Sequence, residues 1–530
     1  MPVSTFFIQQ FGCRATQADG AALERQLLDC GCTPAADPAS AGIVVLNTCT
    51  VTAAADSQAR DAIRKIHAQN PDARLIVTGC YAQRAPEELA ALPGVTLVVG
   101  NSHKPQIPNL ITRIAPAREE GSVIPSEAIA DSGPVGRNPL FLPARSAANS
   151  HPANILSGNI FAHPEFLSAP IQGGESHHTR PILKIQDGCN NRCSFCVIPY
   201  VRGKSRSLPP DAVLREIRNL TSTQKSAAPV AQAFLPVRLS SPSPDSPEHC
   251  SVVYRAREIV LSGINLGTYG RDLTPRVEFI DLLRRILDET TVERLRISSI
   301  EPQDVTQDLI DLFAGTDRIA QHFHMPLQSA SDRILAAMHR WYRSGHYARR
   351  VELIHDRLPN AAIGADVIAG FPAESESDHA ATIAFIDRLP FTYLHVFSYS
   401  SRPGTKAATA LDQVPALTIK RRARELRSLG ESKSAAFRRA QLHRTLRVLT
   451  LHRDEHSISE HTGIEYTPAL STNYLRVQVP GIFPANFWLE VVVKSEEGNY
   501  LVAEPASTLC ESSVNSVLGV YPDLVGAPSM

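Results

Sequence analysis

The apolar positions of the first hundred residues change period in a regular way. Residues 5–10 form a short apolar run, and Asp19 stands where it can cap a helix carrying Leu23, Leu27 and Leu28 on one face. A second run at 43–46 precedes Ala55, Ala59, Ile63 and Ile66 at helical spacing, and further runs fall at 75–77 and 97–99. This alternation predicts a parallel βαβ sheet over residues 1–114. The period is then lost. Residues 115–178 are rich in Pro, Ser, Ala and Gly and predict a linker or disordered insertion.

A second alternation begins near Pro181. Strand-like runs at 182–186, 258–261, 294–298, 321–325, 363–368 and 393–398 are separated by helical stretches such as 210–220 and 279–287. Six βα units predict a partial α/β barrel over residues 179–438, short of the eight of a closed one. A Pro/Ser-rich interruption at 221–255 falls between a helix and the next strand, a connection that in barrels lies away from the active face. Residues 420–447 are helical in pattern and densely basic. The runs 446–451, 474–479, 489–493 and 500–503 then predict a small β-barrel within 439–506, followed by an unstructured tail at 507–530.

Composition narrows the class. Hydrophobic residues make up 43% and charged residues 20% of the 530, the balance of a soluble globular protein. No apolar run is long enough for a bilayer, so no membrane is expected. The first basic residue is Arg14, which does not suit a secretory signal, and the expected location is the cytoplasm. Net charge is zero, so contact with nucleic acid requires a local basic patch. In a reducing compartment the ten cysteines are expected as metal ligands or catalytic groups rather than disulfides.

Their grouping carries the chemistry. In Gly188-Cys189-Asn190-Asn191-Arg192-Cys193-Ser194-Phe195-Cys196, three thiols follow directly on a strand. Thiolates select soft metals and iron–sulfur clusters, and three ligands leave one iron open to a substrate. A zinc site completed by a distant residue, or three bystander thiols, is the alternative. Cys13, Cys49 and Cys80 each end or follow a predicted strand of the first sheet. Groups at the carboxyl ends of parallel strands share one crevice, so these three are either a second ligand set or buried small hydrophobes. The downstream triplet favours the second ligand set.

The Cys-x3-Cys-x2-Cys segment, with Phe195 before its last cysteine, resembles the radical S-adenosylmethionine superfamily. The resemblance implies a 4Fe–4S cluster on Cys189, Cys193 and Cys196. The open iron would chelate S-adenosylmethionine, whose reductive cleavage gives a 5′-deoxyadenosyl radical. Gln10-Phe11-Gly12-Cys13, Asn47-Thr48-Cys49-Thr50-Val51-Thr52 and Gly79-Cys80-Tyr81-Ala82-Gln83 look like the N-terminal domain of the methylthiotransferases. Ile198-Pro199-Tyr200-Val201-Arg202-Gly203, Leu261-Ser262-Gly263-Ile264-Asn265-Leu266-Gly267, Met325-Pro326-Leu327-Gln328-Ser329-Ala330-Ser331-Asp332 and the 364–372 run agree. The match covers most of the chain except the two insertions and the tail. Ala330, Ala369 and Ala373 stand where relatives often carry Gly or Val.

That resemblance implies an auxiliary 4Fe–4S cluster on Cys13, Cys49 and Cys80 that supplies or carries sulfur. One S-adenosylmethionine provides the methyl group and another the radical. An electron donor such as flavodoxin or ferredoxin and a sulfur source are implied as partners. Cys30, Cys32, Cys250 and Cys510 match no family motif. Phe195, Ser262, Gly263, Ser299, Glu301 and Gln328 are candidates for holding S-adenosylmethionine, the last five as polar or small residues at strand ends. The terminal barrel resembles the TRAM domain, which binds RNA; Tyr474, Phe487 and Trp488 are either its exposed aromatics or its core. The basic helix either contacts phosphate or is a solvated face.

The tripeptide after Cys49 points to the substrate. Thr50-Val51-Thr52, with Gln186-Asp187, looks like the branch acting on N6-threonylcarbamoyladenosine at position 37, in the anticodon loop of tRNA. The Thr pair is expected either to line a pocket for a polar substituent or merely to begin the next helix, with Thr52 as cap. Isopentenyladenosine and a ribosomal protein side chain are the alternative substrates, and a non-catalytic RNA-binding protein is a third reading.

Overall fold

The computed structural model describes residues 4–113, 153–162, 167, 171–173, 178–222, 255–452 and 465–506. The N-terminal sheet runs in the order Thr33–Pro34, Thr5–Gln10, Ile43–Thr48, Arg74–Gly79, Val95–Gly100, Asn154–Leu156, with every neighbour parallel. Val44, Leu46, Leu75 and Val77 pack on Ile63 and Ile66 of the Ala53–Gln69 helix. Ile43, Val45, Ile76 and Val99 pack on Leu23 and Leu27 of the Arg14–Asp29 helix. Burial of both faces makes the strands read as unbroken apolar runs.

Three expectations for this region are corrected. The first helix starts at Arg14 with Cys13 as its N-cap, so Asp19 lies inside it. Asp19 is buried because its carboxylate pairs with Lys104, Lys184 and Arg202. Leu28 is 47% exposed, since one further residue turns it off the stripe of Leu23 and Leu27. Residues 115–178 are also not simply a linker. Asn154–Leu156 extends the first sheet and Ile171–Gly173 pairs antiparallel with His178–Lys184. Three-residue strands are too short to show a period. Residues 114–152 and 507–530 lie outside the described residues.

The second region is an open barrel. Arg294–Ile297, Glu258–Ser262 and His178–Lys184 are neighbours, as are His322–Gln328, Ala362–Ala369 and Tyr393–Ser398, all parallel within each run. The bridges Leu295–Ile319 and Ser299–His324 join the two runs. The six sequence-predicted strands all form. Leu183, Leu261, Leu295, Phe323, Ile363 and Val367 face outward onto Ile217, Leu282, Phe313, Val351 and Ile386 of the surrounding helices. Strand alternation turns the intervening residues the other way, and many of these are polar, among them Lys184, Glu258, Arg296, Ser298, His324 and Asp366, while Ile182 and Val260 meet Ala18 of the first domain. The 221–255 interruption leaves from Ser222 and re-enters at Arg255; residues 223–254 lie outside the described residues.

The basic Ala416–Arg439 helix closes this region, burying Ala423 and Leu426. Much of its charge is used internally. Arg422 is buried against Glu374 and Glu376, Arg421 pairs with Glu376 and Glu425, and Lys433 donates to the Asp387 and Leu389 carbonyls. Lys420, Arg424 and Arg439 remain exposed.

A closed barrel follows, in the order Thr445–Thr450, Tyr466–Ser471, Arg476–Pro480, Tyr500–Pro505, Trp488–Glu497. The Tyr466–Ser471 strand was not predicted, because Pro468 interrupts its pattern. This barrel seats under the larger one. Arg294 and Arg296, both tied to Glu258, donate to the carbonyls of Leu470, Thr472 and Ser471. Tyr474 stacks on His322 at 4.2 Å, Arg257 lies over Phe487, and Arg294 lies 4.1 Å over Trp488. Tyr474 and Trp488 therefore serve this seam between barrels, whereas Phe487 also packs on the core of the small one, as the core reading expected for some of the three. No helix among the described residues is long and apolar enough to cross a membrane.

Candidate active site

Gly188 turns the first barrel strand into the cysteine loop. Its φ is +70°, and a Cβ there would lie 2.0 Å from the Lys204 carbonyl oxygen, so only glycine fits. The loop is pinned by Cys189 N–H on Gly203 O at 3.1 Å and by Ser194 Oγ–H on Ala337 O at 2.8 Å. Cys189 Sγ accepts from Asn191 N–H at 3.4 Å and faces Asn265 Nδ2 at 3.9 Å; Cys193 Sγ accepts from Arg340 Nη1 at 3.4 Å. Burial, and then the neighbouring Cys193, push the Cys196 thiol up to about 12, and burial also raises Cys189. Desolvation of Cys189 and Cys196 beside a third thiol disfavours their ionisation unless a cation receives them. That donor set fits an iron–sulfur core, which takes cysteine as thiolate.

Cys13, Cys49 and Cys80 meet at the carboxyl end of the first sheet. Gly12, at φ +98°, passes so close that its Cβ would lie 2.3 Å from Cys49 Cβ. Burial, then Cys80 and Cys13, push the Cys49 thiol up to about 12; Cys80 is raised by burial and accepts from Asn101 Nδ2 at 3.5 Å. Cys49 and Cys80 are desolvated while Cys13 is exposed at the rim, and this donor set also fits an iron–sulfur core that takes cysteine as thiolate. Cys30 and Cys32 sit at the far end of the first helix, whereas Cys250 and Cys510 lie outside the described residues.

The two sets are locked to one another by buried charge. Asp19, from the first domain, receives Lys184 and Arg202 of the barrel together with Lys104. Asp187 receives Lys184 and Arg202 at 3.0 Å each. Burial raises Asp19, but Lys104, Lys184 and Arg202 outweigh it and hold the carboxyl at about 2.

The cofactor candidates gather at the strand ends. Phe195 packs edge-on to Phe371, in a cluster with Ile334, Met338 and Ala407. Gly263 lies against Leu266 and Gln186, Ser262 is buried, and Ser299 is exposed beside the His324 bridge. Glu301 pairs with Arg340, and Gln328 takes φ +63° at a bulge. Sequence reasoning missed Arg340, which lies beyond the helix following the fourth barrel strand and carries no motif. It also missed Ser298, whose buried Oγ has no protein partner.

Thr50 and Thr52 line no pocket. Thr50 is fully buried, donating to Asp56 Oδ1 at 2.6 Å and accepting from Arg84 and Arg402 at 2.9 and 2.8 Å. Thr52 caps the next helix, accepting from Ala55 N–H at 3.2 Å. The two threonines are structural, and the pocket expectation for them is corrected, the alternative of Thr52 as cap being the one that forms.

Two family models match: "Uncharacterized protein family UPF0004" over residues 5–100 and "Radical SAM superfamily" over residues 183–227. The chain is 32% identical to the threonylcarbamoyladenosine tRNA methylthiotransferase MtaB of Aquifex aeolicus, covering 89% of this chain and 96% of that protein. It is 31% identical to the Bacillus subtilis protein of the same name, covering 90% and 91%. It is also 31% identical to the tRNA-2-methylthio-N(6)-dimethylallyladenosine synthase of Syntrophobacter fumaroxidans, covering 80% and 79%. With two thiol triplets facing each other across a buried ionic lock, and relatives aligned over nearly their whole lengths, the chain belongs to the radical S-adenosylmethionine tRNA methylthiotransferases.

Proposed function

We propose that this enzyme converts N6-threonylcarbamoyladenosine at tRNA position 37 into its 2-methylthio derivative. The observation that carries the reading is the pairing of two cysteine triplets on rigidly joined domains, in a chain whose similar relatives include two named for this nucleoside. Cys189, Cys193 and Cys196 would hold the cluster that binds S-adenosylmethionine, and Cys13, Cys49 and Cys80 the auxiliary one. Bound there, the clusters supply the electron for cofactor cleavage and the site of sulfur transfer. The chain's own part is to position. Arg340, braced by Glu301, fixes Cys193; Phe195, Ser262, Gly263, Ser299, Glu301 and Gln328 frame S-adenosylmethionine. Exposed Lys420, Arg424 and Arg439 and the terminal barrel offer a phosphate-binding surface.

An electron donor such as flavodoxin or ferredoxin, a sulfur source and a cytoplasmic setting complete the reading. Dimethylallyladenosine is the second substrate reading, favoured by the Syntrophobacter fumaroxidans relative. Mass spectrometry of tRNA nucleosides from a deletion strain tests the choice. Loss of 2-methylthio-N6-threonylcarbamoyladenosine is expected, and its persistence alongside loss of the dimethylallyl product would reverse the assignment.

A further inference from the structure

One side of the barrel lumen carries polar rings that neither cysteine set uses. They come from three adjacent strands. Tyr393 Oη lies 2.7 Å from His322 Nε2 and 2.8 Å from His324 Nδ1, and His324 Nε2 lies 2.9 Å from Asp366 Oδ1. His395 Nδ1 lies 3.4 Å from the same Asp366 oxygen. The rings of His324, Tyr393 and His395 are 5.0–5.7 Å apart. The wall opens along its length. His322 and His324 are buried, whereas the His395 side chain is 54% exposed. Phe397, two residues on and on the same face of the edge strand, is 43% exposed.

The wall lies between the two cysteine sets. Ile368, two residues beyond Asp366 on the same face, packs on the Phe371 cluster that also receives Phe195 of the radical S-adenosylmethionine loop. His395, opposite Asp366, is therefore roughly 7 Å along the strands from that level. From the other side Arg14, next to Cys13, reaches the Tyr474 hydroxyl at 3.4 Å, and the Tyr474 ring lies 5.9 Å from Tyr393. A base that must meet both sets has this wall beside it.

Unstacked RNA bases are held by ring faces and by hydrogen bonds to their edges. Phe397 supplies an exposed apolar face. His395 supplies a polar edge whose Nδ1 is occupied by Asp366. As imidazolium it donates from both nitrogens, so Nε2–H can meet a ligand carboxylate while Nδ1–H stays on Asp366. We infer that this wall seats the modified adenine, with Phe397 against the base and His395 on the carboxylate of an anionic N6 substituent, so that His395 selects threonylcarbamoyl over dimethylallyl. The inference rests on the substrate reading above. Its energetic logic is that a site built around a charged hydrogen bond discriminates strongly against a substrate lacking that group.

The test compares full-length wild type with His395→Ala and His395→Gln. It measures the affinity of each for one tRNA with and without the threonylcarbamoyl group, with iron content as the control for folding. Wild type is expected to prefer the modified tRNA. His395→Ala should lose about tenfold or more of that preference, the loss of one charge-assisted hydrogen bond, and His395→Gln should keep part of it. An undiminished preference in His395→Ala would overturn the inference and leave the substrate reading intact. Equal weakening toward both tRNAs, or loss of iron, would show a structural role and also overturn it. A wild type with no preference would instead remove the substrate reading, and the inference with it.

Discussion

Single side chains decide how each thiol set behaves. Arg340 touches Cys193 Sγ and is braced by Glu301. A cation beside a thiolate favours the more negatively charged, reduced cluster. Arg340→Gln should therefore lower the midpoint potential of that cluster, by an amount on the order of tens of millivolts, in an EPR-monitored titration; an unchanged potential would contradict this. Replacing Cys189, Cys193 and Cys196 with Ala should abolish 5′-deoxyadenosine formation and leave about four irons per chain instead of about eight. Replacing Cys13, Cys49 and Cys80 should reduce iron equally but stop sulfur transfer while sparing some cofactor cleavage. Iron near four in wild type would refute the two-cluster account. The cysteines were legible because each set is tied to short local motifs. The two readings of Thr50 could not be separated, because a decisive partner, Arg402, is supplied from far along the chain, which no local pattern reveals.

At the scale of elements, long strands and amphipathic helices announced themselves through period, whereas three-residue strands and the proline-bearing Tyr466–Ser471 did not. Caps are the part of an element that a point change tests most cleanly. Thr52→Ala removes the side chain that receives Ala55 N–H and should cost about 1 kcal/mol in urea denaturation, with Thr52→Ser largely restoring it. A loss of substrate choice without loss of stability would instead return Thr52 to the binding pocket. Ala373 sits at φ +64°, in the left-handed region that favours glycine. Glycine relieves that strain, so Ala373→Gly should be neutral or stabilising by up to about 1 kcal/mol in the same assay.

For the whole molecule, the central feature is the buried lock between the domains that carry the thiols. Lys104, Lys184 and Arg202 meet Asp19 and Asp187 away from water. Removing one partner of such a network strands the others, so Asp19→Asn should cost about 3–5 kcal/mol in unfolding experiments at neutral pH. The sign of the pH dependence follows from the depressed carboxyl. Asp19 sits at about 2 in the fold against an ordinary 3.8, so its contribution is complete above 3.8 and is lost as pH falls toward 2. An acid unfolding curve identical for wild type and Asp19→Asn would contradict this. The sequence revealed the domains through their separate rhythms, but not the lock, because its charges lie scattered between residues 19 and 202. The basic helix is the opposite case, a conspicuous run of charge in which Arg421, Arg422, Arg427, Lys433 and Arg438 are bonded within the fold.

The central claim is that the paired sites serve methylthiolation of one particular adenosine. Its most direct measurement offers anaerobically reconstituted enzyme, with reductant and S-adenosylmethionine, matched tRNAs bearing either N6-threonylcarbamoyladenosine or dimethylallyladenosine at position 37, and ribosomal protein in parallel. Mass spectrometry should find a 2-methylthio product on the threonylcarbamoyl tRNA alone. Methylthiolation of the dimethylallyl tRNA alone, or of ribosomal protein in place of either tRNA, would contradict the account.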